Sequence, residues 1–171
     1  MIRISALFFI CITFIFGEIK NIKSFEAEFT QILHSQSDNI VYKGRILSLA
    51  PYYVLWDYSS PIIKQIYIQR DSMIIYEPRL KQAIISSLQE NLDILSLIKS
   101  AKKIKDNLYE STIMGQKYNL TFKDGILNSI TFEDSLKNQV EIKFSQIKVD
   151  SSIEPHIFEF KPTSDIDIIY N

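Results

Sequence analysis

The sequence predicts a mainly β domain, built as one large, strongly curved antiparallel sheet or an open barrel. Two observations predict it: about ten or eleven segments of strand-like alternation follow one another along the chain, and aromatic residues are abundant. Nine Tyr and eleven Phe favour half-buried strands over helical bundles. The 171 residues, 46% of them hydrophobic and 23% charged, are typical of one folded domain.

The N-terminus predicts an export signal. Arg3 supplies a positive start, residues 4–16 form an apolar run, and Gly17 is a small residue at which a signal peptidase could cut. At about 13 residues the run is short for a membrane-spanning helix, which needs about 20. We expect a cleaved signal at residues 1–17 and a mature domain at residues 18–171, with a retained anchor as the alternative.

Strand patterns follow in order. Phe25, Ala27 and Phe29 alternate with polar residues, and a second alternating stretch covers residues 40–49. Further strands are predicted in the following segments: residues 52–60, 62–69, 73–77, 81–86, 118–122, 130–132, 140–144 and 158–160. The Asp124-Gly125 pair is a strong hairpin signal between two of them.

Two segments have helical spacing instead. A short one carries Ile19 and Ile22, and a longer one runs from Leu88 to about Ile104. The apolar stripe of the longer helix covers close to half its circumference, so we expect this helix to lie against an apolar surface.

Motifs for catalysis, metal binding or nucleotide binding are missing from the sequence. The four glycines frame no phosphate loop, and the only cysteine, Cys11, lies inside the predicted signal. His34 and His156 both lie in turn-like stretches and are interpreted as solvated residues. A net charge of −1 gives no broad basic face for nucleic acid. The sequence therefore predicts no enzyme and no cofactor.

Apolar surface is what remains for function. The concave face of the sheet should be lined by five side chains: Val54, Trp56, Tyr58, Ile66 and Ile68. A curved sheet must fill its concave face with core side chains unless the space holds a ligand. Periodicity does not separate a filled core from a ligand cavity, so both interpretations stay open on pattern alone.

A resemblance decides between them. The segment at residues 24–31, Ser-Phe-Glu-Ala-Glu-Phe-Thr-Gln, resembles the first strand of the outer-membrane lipoprotein carrier family, LolA. Further matches follow in the family's order: Gly44-Arg45-Ile46, Pro51, Trp56, Pro61, Tyr76-Glu77-Pro78, Asp134, Asn138, the strand at residues 140–144, and Phe158-Glu159-Phe160-Lys161-Pro162. Each motif is weak alone, but together they span nearly the whole mature chain.

The resemblance implies a half-open barrel covered by a helical lid, with a hydrophobic cavity for the acyl chains of lipoproteins. It implies a monomeric periplasmic chaperone that an ATP-driven inner-membrane complex loads and that an outer-membrane receptor commonly unloads. Carried over by position, the lid residues are Ile19, Ile22, Leu92, Ile94, Leu95 and Ile98.

One departure concerns the lid. The family usually has an arginine before the first of the matched prolines, thought to latch the lid by hydrogen bonding, whereas this chain has Ala50. Arg45 or Arg79 is the expected substitute. Competing interpretations are a related receptor or envelope-stress sensor on the same scaffold, a secreted structural β-protein, and a lipid hydrolase.

Overall fold

The computed structural model describes residues 21–35, 38–88 and 93–171. Within them, twelve strands form one curled, unclosed sheet in the order β12-β6-β5-β4-β3-β2-β1-β11-β10-β9-β8-β7. The strands are β1 (Ser24–His34), β2 (Asn39–Leu49), β3 (Tyr53–Ser60), β4 (Lys64–Gln69), β5 (Ser72–Glu77), β6 (Gln82–Ser87), β7 (Lys102–Lys105), β8 (Leu108–Ile113), β9 (Gln116–Lys123), β10 (Ile126–Glu133), β11 (Gln139–Val149) and β12 (Asp167–Tyr170).

The sheet consists of two meanders that meet where β1 pairs with β11. One runs from β1 to β6 and the other from β7 to β11. Among the described strands only β12 pairs in parallel, along the free edge of β6. The β9–β10 hairpin turns at Asp124 and Gly125, both with positive φ, as the sequence predicts. The mainly β prediction is confirmed, with twelve strands in the described residues rather than ten or eleven.

The concave face carries the main core. Period-two alternation places Phe25, Ala27 and Phe29 of β1 on this face, with exposed fractions of 2% or less. They pack with apolar residues of the neighbouring strands and with one helix, α1 (Ile94–Ser100). Within the described ranges, the helical cover of this face is therefore one short α-helix.

The predicted long helix is wrong in its extent. Residues 89–92 lie outside the described residues, α1 ends at Ser100, and Lys102–Lys105 form β7 instead. Ala101 leaves the helix in an extended conformation, and its N–H donates to the carbonyl of Ile98. Ile104, which the periodicity assigns to the helix, is 58% exposed on the edge strand.

A second core covers the convex face. Leu47, Leu55 and Tyr67 point outward and are buried by Ile153 and Phe158 of the segment after β11. The predicted strand at residues 158–160 is wrong, because Phe158 ends a short 3-10 helix (Pro155–Phe158) that packs on the outside of the sheet. The chain thus crosses the convex face before it adds β12.

Candidate functional site

An apolar cavity of about 230 Å³ lies between the concave face and the start of α1. Its walls come from both meanders and from the helix: Gln31, Trp56, Tyr58, Ile66, Ile68, Met73, Asp93, Ile94, Leu97, Tyr118, Ile130, Phe132 and Ile142. The volume falls below the roughly 300–1,000 Å³ of pockets that bury drug-sized ligands. With α1 packed against the sheet, the cavity is therefore smaller than a site for a drug-sized ligand.

Aromatic rings form the wall on the β3 side. The Phe29 ring lies 5.0 Å from both the Trp56 and the Tyr58 ring, in edge-to-face geometry. Tyr42 meets Tyr58 edge-on at 6.0 Å. Such pairs add about 0.5–1.5 kcal/mol each beyond their burial, so they stabilise the packing of this wall.

Tyr58 brings a polar group to the wall. Its hydroxyl donates to Oε1 of Gln31 at 2.9 Å, and the ammonium of Lys64 lies 4.6 Å from its ring centre. Burial raises the pKa of Tyr58 to about 12, with a smaller contribution from Tyr42. The tyrosine therefore stays neutral and brings no charge to the cavity wall at neutral pH.

The helix that faces this wall is held by few polar contacts. Asp93 caps it, because its carboxylate accepts from the N–H of Ser96 at 2.9 Å and from the Ser96 hydroxyl at 2.6 Å. At the other end the hydroxyls of Ser100 and Ser111 lie 2.6 Å apart and tie the helix to β8. Between these ends the attachment is apolar, through buried side chains of the helix: Ile94, Leu97 and Ile98.

Four of the five predicted cavity residues line this space. Trp56, Tyr58, Ile66 and Ile68 do so, whereas Val54 is 0% exposed and lies in the core outside the lining. Replacing Val54 by a charged residue would therefore be expected to unfold the protein rather than report on a cavity.

The predicted lid residues divide into three groups. Ile94 lines the cavity and Leu95 packs on the core. Ile22 and Ile98 line a separate, open groove of about 530 Å³ at the end of the concave face beside the β9–β10 turn. Ile19 and Leu92 lie outside the described residues.

The sequence interpretation missed the other half of the cavity wall, which β9, β10 and β11 supply. Tyr118, Ile130, Phe132 and Ile142 all belong to strands that alternation identifies. Alternation gives the face on which a residue lies, but not the curling that brings the two meanders together across the cavity. Alternation in these strands therefore predicts the face on which each residue lies, but not the distance between the two meanders across the cavity.

Arg45 does not take the place of the missing latch arginine. Its guanidinium pairs with the carboxylate of Glu26 at 2.8 Å on the convex side, because Arg45 is adjacent in sequence to the inward-facing Ile46. Arg79 is exposed in the turn after β5. Neither position therefore supports the predicted substitution.

Metal-binding clusters and membrane-spanning helices are both absent from the described ranges. These ranges contain no group of three or more His, Cys, Asp or Glu side chains arranged to hold a metal ion. Among the helices found there, none has the length and apolar content needed to cross a bilayer.

Sequence comparisons with known proteins agree on one family. An outer-membrane lipoprotein carrier protein of Wolinella succinogenes is 38% identical over 152 residues, 88% of each chain. A protein of the same name from Helicobacter pylori strain HPAG1 is 39% identical over 88% of this chain and 82% of its own. Among solved structures, an uncharacterized conserved protein of Thermus thermophilus shares the fold, with 10% identity, a TM-score of 0.56, and coverage of 91% of this chain and 95% of its own.

The family model for the outer membrane lipoprotein carrier protein LolA matches residues 20–161, which includes β1 to β11, the helix α1 and the outer segment through Phe160. The match covers both walls of the cavity and the helix between them. The chain belongs to the LolA family of outer-membrane lipoprotein carriers.

Proposed function

We propose that this protein binds the acyl chains of lipoproteins on the concave face of its sheet and carries them through the periplasm to the outer membrane. The observation that supports this most directly is the residual apolar cavity between Trp56, Ile66 and the helix residue Ile94. An ordinary core would be filled to close packing at this point. We further propose that the protein performs no catalysis and that residues 1–17 direct its export.

Cargo would bind by displacing α1. The helix has seven residues, too few to persist as an isolated helix, and its apolar residues occupy the volume next to the cavity. If α1 moved away, the surfaces of Trp56, Tyr58 and Ile68 would become available to hydrocarbon. The hydrogen bond between the Ser100 and Ser111 hydroxyls would hold the C-terminal end of α1 against β8 during this movement.

The free energy of burying an acyl chain suits its transfer between carrier and membrane rather than its permanent retention by the carrier. Moving an acyl chain of about 16 carbons out of water is worth about 12 kcal/mol, at roughly 0.8 kcal/mol per methylene. A bilayer offers the same gain, so the cavity needs only to match it, and exchange between carrier and membrane is nearly isoenergetic. Direction must then come from partners, and we propose an ATP-driven inner-membrane complex for loading and an outer-membrane receptor for unloading.

Replacing Trp56 by Glu tests the proposal. Trp56 is half-buried at the cavity wall, so a carboxylate there would have to be desolvated whenever an acyl chain bound. We expect Trp56→Glu to abolish co-purification of lipoprotein and of extractable acyl lipid, measured by mass spectrometry. Ser59→Glu is the matched control, because it adds the same charge to an exposed position of the same strand.

Circular dichroism shows whether each variant is folded. Should Trp56→Glu unfold, Ile66→Gln changes the same wall with a smaller perturbation. Normal lipoprotein yield with a folded Trp56→Glu or Ile66→Gln variant would exclude this cavity as the binding site.

A further inference from the structure

Four fully described turns of the sheet emerge at the same end. They join β3 to β4, β5 to β6, β8 to β9 and β10 to β11, and antiparallel pairing places all four at the end where β1 finishes at His34. The opposite end carries the turns at residues 50–52, 70–71, 106–107 and 124–125. The two ends of the sheet can therefore be compared turn by turn.

Every one of the four turns exposes a large apolar side chain. We call these residues the apolar rim: Ile62, Ile63, Leu80, Met114 and Leu136. Leu136 is 79% exposed, Leu80 64% and Met114 61%. Single exposed apolar residues are normal, but here one or two stand in each of four turns at one end of the sheet.

The turns at the other end have a different composition. Their residues are Ala50-Pro51-Tyr52, Arg70-Asp71, Asp106-Asn107 and Asp124-Gly125, and no large aliphatic side chain is among them. The exposed aliphatic residues near these turns, Ile104, Ile126 and Val149, belong to strands, and the last two line the open groove beside Ile22. Apolar turn tips are therefore a property of the His34 end.

A lysine follows the apolar residue in each of the four turns. These lysines are Lys64, Lys81, Lys117 and Lys137, one to three residues after the apolar position. Three of them pair with carboxylates on the surface, but their side chains remain 65% to 82% exposed. Exposed ion pairs of this kind contribute little to stability. Three of the four apolar turns thus have an exposed cation beside them, whereas Lys64 is half-buried over the Tyr58 ring.

The cavity lining extends to both ends of the sheet: Ile68 and Met73 lie beside the turn at residues 70–71, and three other residues lie towards the His34 end. Tyr58 is two residues from the end of β3, Phe132 is the penultimate residue of β10, and Tyr118 is the third residue of β9. All three line the cavity. A hydrocarbon chain leaving the cavity past these residues would emerge among the apolar rim residues.

We propose that the apolar rim docks this protein onto the surface of a phospholipid bilayer. The apolar residues are separate points on four turns, whereas a protein partner would require one continuous patch with a fitted apolar centre. Apolar side chains that enter the acyl boundary, with lysines reaching back to the phosphates, are the pattern of interfacial binding. The reason to approach a membrane rests on the proposed function, but the docking itself requires no cargo.

Vesicle binding by the purified protein tests the docking. The rim variant combines Leu80→Asn, Met114→Asn and Leu136→Asn. The control variant combines Ile104→Asn, Ile157→Asn and Tyr170→Asn, which are also exposed but lie away from this end. All three proteins keep the same N-terminus, so any membrane affinity of that segment is common to them. Unfolding midpoints confirm that the variants are folded.

Co-sedimentation uses vesicles of equal parts phosphatidylcholine and phosphatidylglycerol. We expect the wild type and the control variant to bind, and the rim variant to bind more weakly by roughly tenfold or more, because partitioning scales with buried apolar area. Three results would overturn the proposal: no binding by the wild type, equal binding by the rim variant, or an equal loss in the control variant.

Acyl lipid that co-purifies with each protein is measured in parallel. The rim variant should retain it, because its substitutions lie outside the cavity wall. Absence of acyl lipid from all three proteins would count against the proposed function, while the vesicle result would still decide the docking.

Discussion

Gly44 lies directly opposite Phe29 in the β1–β2 pair, and the Phe29 ring occupies the space that a side chain at position 44 would need. A Cβ built on Gly44 would be 2.8 Å from Cζ of Phe29 and 2.2 Å from the backbone oxygen of Asp57. A glycine is therefore required at position 44, because the Phe29 ring and the Asp57 carbonyl leave no space for a side chain. It lets Phe29 pack against both Trp56 and Tyr58, which in turn form the cavity wall.

We predict that Gly44→Ala destabilises the protein by about 3 kcal/mol, at the upper end of overpacking costs. The nearer obstacle is backbone, so it moves only with the strand. Gly115→Ala is the comparison, because nothing lies within 4 Å of that site and only its positive φ opposes a side chain. That substitution should cost about 1–2 kcal/mol. Urea unfolding measures both, and an equal or smaller loss at Gly44 would contradict the close-approach interpretation.

Tyr58 gives a prediction for alkaline pH. Its pKa is raised from 10.0 to about 12 by burial, so the folded state holds this proton more tightly than the unfolded chain. Below pH 10 both states are protonated and the group imposes no penalty. As pH rises from 10 to about 12 the unfolded chain ionises first, and stability should fall by about 3 kcal/mol, at roughly 1.4 kcal/mol per unit.

Tyr58→Phe separates this contribution from that of other groups. The variant has no hydroxyl to ionise, so its stability should decline less between pH 10 and 12 than that of the wild type. At neutral pH it should be about 1 kcal/mol less stable, because Gln31 loses its donor. Parallel slopes of unfolding free energy against pH for the two proteins would show that Tyr58 titrates normally.

Asp93 gives a prediction for the helix. It is 4% exposed and its carboxylate accepts two hydrogen bonds from Ser96, so Asp93→Ala should remove the cap and destabilise α1 by about 1 kcal/mol. Hydrogen exchange should accelerate in residues 96–100 before it changes in β1. Asp93→Asn keeps a side-chain acceptor and is expected to stay near wild type, and equal exchange rates in the Ala and Asn variants would argue against the capping role.

The concave face could be predicted because alternation in a strand assigns side chains to a face. It groups Phe25, Ala27 and Phe29, which are buried together, and it places Trp56 and Ile66 on one wall, where they are cross-strand partners. These relationships depend on the two-residue period of side chains in a strand and on the order of the hairpins, and both can be recognised from short stretches of sequence. That Ile66 and Phe132 line the same cavity depends on the curl of the whole sheet, which no local pattern specifies.

The errors come from segments with mixed signals. Ala101 and Ile104 continue the apolar spacing of α1, yet Lys102–Lys105 pair with β8 at the sheet edge, where a strand satisfies the backbone hydrogen bonds that a helix would satisfy internally. Alternation also places Leu55 on the outer face, but an apolar outer face does not say what covers it. The cover becomes visible only where the chain after β11 turns back over the sheet.

That outer cover leads to the last prediction. Phe158 is 0% exposed, its ring stacks on Tyr53 at 5.6 Å, and its carbonyl accepts from the side-chain amide of Gln69 at 2.8 Å. Phe158→Ala should therefore cost about 3–5 kcal/mol in unfolding free energy. Ile157→Ala, in the same 3-10 helix, should cost under about 1 kcal/mol, because Ile157 is 38% exposed.

The two faces of the sheet are packed by different residues, so the effects of Phe158→Ala should divide accordingly. Below its unfolding transition this variant should still carry acyl lipid, because Phe158 packs on the convex face and the cavity lies on the concave one. The measurement is the amount of acyl lipid per folded molecule, with the lipid quantified by mass spectrometry and divided by the amount of folded protein. A proportional loss of lipid in folded Phe158→Ala would mean that the convex cover sets the curvature of the sheet and, through it, the width of the cavity.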